Sequence, residues 1–76
     1  MAFFHELRYA LRVRKWRKLR VYLVHLENRI FELESELDEY PDDIDTQAHL
    51  VRARVRRNKT LRQLSALETK ENHVQG

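Results

Sequence analysis

The chain has 76 residues, a formal charge of +3, no cysteine, one glycine and one proline. A chain this short buries only about 60% of the surface its unfolded state exposes, so a lone core is thin, and without cysteine neither a disulfide framework nor a thiolate metal site can reinforce it. So few turn residues exclude a sheet-rich fold, which needs them at regular intervals, while abundant Leu, Arg, Glu, Lys and Ala favour helix; the expected class is all-α.

Residues 1–15 read as a basic, amphipathic arm continuous with the first helix. Phe3, Phe4, Leu7 and Leu11 form an apolar stripe rotated off the main helical seam, with the spacing of a docking helix. From Trp16 onward the pattern changes. Trp16, Leu19, Leu23, Leu26, Ile30, Leu33, Leu37 and Tyr40 alternate steps of three and four without a miss, the repeat of a helix that packs knobs into the holes of another. Val24 and Phe31 lie off that seam on a secondary face.

Tyr40-Pro41-Asp42-Asp43 is the one strong break. Proline disfavours helical geometry in the residue before it, so the first helix should end near residue 40. Asp42 or Asp43 can cap a second helix running from about 43 to about 70, with 71–76 as a frayed tail. A short connection places two helices antiparallel, and residues 16–70 therefore read as a helical hairpin. The second helix carries two stripes: Ile44, Ala48, Val51 and Val55 on one side, and Leu50, Ala53, Leu61, Leu64 and Leu67 roughly opposite. One partner helix cannot cover both, so the expected assembly is a homodimer forming a four-helix bundle or coiled coil.

Charge is distributed in blocks. Arg8, Arg12, Arg14, Lys15, Arg17, Lys18 and Arg20 form a basic patch with no acid among them. Residues 27–45 are acidic apart from Arg29, and Arg52, Arg54, Arg56, Arg57, Lys59 and Arg62 follow. Folding at Pro41 brings residue 27 near 56 and residue 34 near 49, so the acids of helix 1 are expected beside the first half of the second basic run, where Arg52, Arg54, Arg56 and Arg57 either pair across the helices or bind a partner. The first block finds few acids opposite it, which leaves a positive base and a negative tip. Positive fields of this kind attract nucleic acid, anionic lipid or acidic protein surfaces.

Chemistry-bearing residues are sparse. His5, His25, His49 and His73 are scattered without a third ligand, and His5-Glu6 begins a zinc-protease pattern that fails at Tyr9. The Ser and Thr residues have no base-and-orienter arrangement, and no glycine loop could cradle a phosphate. No catalytic activity, cofactor or metal is expected. The apolar stretches are too short and too often interrupted to span a bilayer, and residues 1–25 are too charged for a signal peptide, so a cytoplasmic setting is expected. The sequence favours a small adaptor or inhibitor that binds a protein partner through Phe3, Phe4, Leu7, Leu11 and Trp16, in the manner of a phage or plasmid accessory regulator. Nucleic-acid binding by the block at 8–20 is the alternative, and peripheral membrane attachment is a third.

Overall fold

The computed structural model describes the backbone of residues 2–75 and the side chains of residues 6–68. Two helices, α1 (Ala2–Glu39) and α2 (Ile44–Gln75), pack against each other as a hairpin. Strong helix formers and the absence of glycine and proline before Pro41 let α1 run 38 residues. The helix stops where expected: the Tyr40 amide still donates to the Glu36 carbonyl at 2.8 Å, and the chain then turns. At the far end α2 continues through 71–75, where the sequence suggests fraying.

The turn is held by side chains from α2. The Asp43 carboxylate accepts from the Thr46 amide at 3.2 Å and from the Thr46 hydroxyl at 2.8 Å, satisfying one of the free donors of the first turn. The Gln47 side-chain amide donates to the Pro41 carbonyl at 2.8 Å and ties the loop to the helix. Of the two aspartates that the sequence offers as a cap, Asp43 takes the role. These hydrogen bonds, that from the Thr46 hydroxyl foremost, hold its carboxyl below the usual carboxylate range.

The seam read from α1 is the core. Leu23, Leu26, Ile30 and Leu33 are buried, with Leu33 1% exposed, and Trp16, Leu19 and Leu37 are half-buried along the same line. On α2 the matching line is Thr46, Leu50, Ala53, Arg57, Thr60, Leu64 and Leu67, again in alternating steps of four and three. Three of these are polar. Thr46 is satisfied by Asp43, the buried Thr60 hydroxyl donates to the Arg56 carbonyl at 2.8 Å, and Arg57 is half-buried. The densest packing joins Ile30, Leu33, Leu50 and Ala53, with Leu37 against them. Each fully buried aliphatic side chain contributes roughly 1.5–3 kcal/mol, so the middle of the hairpin supplies most of its stability.

The stripe of Ile44, Ala48, Val51 and Val55 faces outward, as do Val24 and Phe31 on α1; Ile44 is 76% and Phe31 71% exposed. Leu61 is exposed too, although the sequence groups it with the packed stripe. The result is a rod of 59 × 18 × 14 Å with a surface of 6681 Å². A compact monomer of 9.3 kDa exposes roughly 5,000 Å².

Candidate functional site

Assigning the buried seam to positions a and d of a seven-residue repeat fixes the direction of the remaining side chains. On α1, Trp16, Leu23, Ile30 and Leu37 are a and Leu19, Leu26 and Leu33 are d; on α2, Leu50, Arg57 and Leu64 are a and Thr46, Ala53, Thr60 and Leu67 are d. Because the helices run in opposite directions, like positions meet across the seam: e faces e on one side of the hairpin, g faces g on the other.

The g side gathers cations. Arg8, Lys15 and Arg29 occupy g on α1, with Lys18 beside them at c; on α2, Arg56 is at g, with Arg52 and Lys59 at c. All are exposed, and Tyr22, His49 and Gln63 share the face. Two adjoining clefts in the groove between the helices mark its centre. One is lined by Leu26, Arg29, His49, Arg52, Ala53 and Arg56, the other by Tyr22, Arg56, Lys59, Thr60 and Gln63. Arg56 belongs to both, so the clefts form one groove.

The e side is different. Glu34 and Arg54 form an ion pair across the helices at 3.2 Å. Glu68 accepts from the Trp16 indole N–H at 3.3 Å, and the Arg20 guanidinium lies 5.6 Å from the centre of the Trp16 ring. Val24, Phe31, Ile44, Val51 and Leu61 are exposed on this side. The hairpin is thus a slab with a basic face and a face of apolar and charge-paired residues.

This sorting divides the second basic run. Among the described residues Arg54 is the one arginine of that run in an ion pair; Arg57 lies on the seam, and Arg52 and Arg56 open onto the basic groove. Among the described residues the remaining ion pair is Arg29–Glu32 within α1, at 3.7 Å. In the first block Arg8, Lys15 and Lys18 lie on the basic face, Arg14 and Arg17 share a cleft with Lys18, Arg20 lies over Trp16, and Arg12 is half-buried on the seam. The acidic residues Glu32, Glu36, Glu39 and Asp45 continue the g and c rows toward the turn, so the basic face ends there.

Of the expected docking residues, Leu7 and Leu11 are exposed, and Trp16 is half-buried within the seam, tied to Glu68. Phe3 and Phe4 lie outside the residues whose side chains are described. A cleft of about 250 Å³, lined by Tyr9, Arg12, Val13, Trp16, Arg17 and Leu67, opens at this end of the hairpin. Among the described residues no group of three or more His, Cys, Asp or Glu is placed to hold a metal ion, and no helix is long and apolar enough to cross a membrane.

Sequence reasoning missed Tyr22, Arg29, Arg52, Arg56 and Lys59 as one surface. Carrying the seven-residue phase of α1 through Leu50, Ala53, Leu64 and Leu67 would have found them. The chain matches no protein-family model, and no curated protein or solved structure is significantly similar to it.

Proposed function

We propose that this hairpin is a non-catalytic nucleic-acid-binding protein that holds a phosphate backbone along the face of Arg8, Lys15, Lys18, Arg29, Arg52, Arg56 and Lys59. The observation that carries this reading is the sorting of charge. Cations from both helices collect on one side, while among the described residues the interhelical ion pair lies on the other. A folded chain needing its arginines only for stability would neutralise them across the seam, where each pair is worth about 0–1 kcal/mol. Arg52, Arg56 and Lys59 instead line or border a groove with no carboxylate within ion-pair distance among the described residues. An extended row of cations suits an extended polyanion, and Tyr22 in the same groove offers a ring on which an unpaired base can stack.

The test is salt dependence. Affinity for an oligonucleotide should fall with a log–log slope of about −0.9 per phosphate contacted. Alanine at Arg52, Arg56 and Lys59 together should flatten that slope by about 2–3. Alanine at Arg54 and Arg62 removes charge from other sides and should change it much less. An equal loss per charge removed in the two variants would sink the assignment to this face.

A second reading, docking of a protein segment at the base, is favoured by the exposed Leu7, Tyr9 and Leu11 beside the Trp16 cleft. The Arg12 and Arg17 side chains there would suit a peptide carrying acidic and aliphatic residues. Such a complex would tolerate salt, alter Trp16 fluorescence and weaken on Leu7→Ala/Leu11→Ala substitution.

A further inference from the structure

The face opposite the basic groove has an arrangement of its own. Along α1 its b positions read Arg17, Val24, Phe31, Asp38: a cation, two apolar residues and an acid, all but the arginine and aspartate large and bare. This row is symmetric about the Glu27–Asn28 bond. Arg17 and Asp38 stand equally far from that point, as do Val24 and Phe31. Arg20 and Glu34, one helical step away on the same face, are balanced about nearly the same point. Val51 and Leu61 of α2 extend the apolar part across the seam.

We infer that a second copy of this chain packs on this face, α1 against α1 in antiparallel orientation, about a twofold axis at Glu27–Asn28. Rotation about that axis lays Val24 of one copy on Phe31 of the other and sets Arg17 opposite the other's Asp38, twice over. This self-complementarity is what an isologous interface requires. A parallel arrangement would stack Arg17 and Arg20 on their own copies and acid on acid, which like-charge repulsion disfavours. The surface area argues the same way. The hairpin exposes 6681 Å² against roughly 5,000 Å² for a compact chain of its mass, an excess that leaves room for the roughly 800 Å² each partner buries in a standard interface. The apolar residues supply the affinity, and the exposed charge pairs set the orientation. The inference is independent of nucleic-acid binding, because the basic groove lies on the other side.

Sedimentation equilibrium of the full chain, with circular dichroism to verify helicity, tests it. The wild type should be a dimer, and Val24→Asp/Phe31→Asp should be a helical monomer. Arg17→Glu and Asp38→Arg should each weaken self-association by about tenfold, since like charges then face each other at both symmetric sites. Mixed in equal amounts, these two variants should form a heterodimer about as tight as wild type, because both sites regain opposite charges. A wild type that stays monomeric throughout the accessible concentration range overturns the inference and frees the face for a different protein. A mixture that associates no better than its components overturns the antiparallel register.

Discussion

At the scale of single residues, Asp43 does most to define the hairpin. It satisfies the start of α2 while Gln47 ties the Pro41 carbonyl to the same turn, so direction reversal and helix initiation are one hydrogen-bonded unit. Its carboxyl is held below the usual range by Thr46. The sign follows from linkage: a group whose folded pKa is lowered stabilises the fold above its unfolded pKa, and loses that contribution as pH falls through the folded value. Asp43→Ala should therefore lower the melting temperature by a few degrees at neutral pH. The gap to wild type should narrow as pH falls through the lowered folded pKa, because protonation removes the carboxylate that the Thr46 donors favour. Thermal melts at neutral and acid pH check this, and an undiminished gap in acid would show that Asp43 acts through packing instead. Trp16 is the other instructive residue. An aromatic among cations reads from sequence as an interface anchor, yet it sits half-buried in the seam with its N–H engaged by Glu68. Side-chain type announces what a residue offers and leaves open which partner takes it.

At the scale of the elements, α1 was legible almost completely and α2 only in part. The α1 seam is apolar at every step from Trp16 to Leu37, so periodicity alone identifies the buried line. In α2 the same repeat passes through Thr46, Arg57 and Thr60, and the eye is drawn to Ile44, Ala48, Val51 and Val55, which are equally periodic and face outward. Periodicity reveals that a stripe exists and cannot say what lies opposite it; only the pairing of two helices decides that. Two substitutions follow from the observed seam. Leu33→Ala, at the most buried side chain in the molecule's described part, should cost about 2–5 kcal/mol, seen as a fall of more than about 10 °C in melting temperature. Arg57→Leu restores an apolar residue to the half-buried seam position and should raise stability by roughly 1 kcal/mol. Loss of stability in Arg57→Leu would mean that the guanidinium makes a contact the seam depends on.

At the scale of the whole molecule, the sequence displays charge as blocks along the chain, whereas the folded hairpin sorts it across its thickness. Along the g and c rows Arg8, Lys15 and Lys18 lie at one end and Glu36, Glu39 and Asp45 at the other. Separation into a basic and an apolar face depends on helical phase, in which a shift of one residue swings a side chain by about 100°. In α2 that phase is carried by Leu50, Ala53, Leu64 and Leu67, with Thr46, Arg57 and Thr60 interrupting its apolar line.

On the proposed nucleic-acid reading, the length of this rod makes its basic face a ruler. Arg8 to Arg29 spans roughly 32 Å at about 1.5 Å per residue, and the row is then cut off by carboxylates before the end of the 59 Å rod. Laid along a duplex, that stretch matches about nine or ten base pairs at roughly 3.4 Å each. Duplexes shorter than this should bind progressively more weakly, and longer ones should gain nothing beyond a choice of registers. The acidic tip would overhang without contact, so neighbouring molecules on a long duplex would be spaced by the full rod, about 17 base pairs, and the density of binding would be set by carboxylates that never touch the nucleic acid.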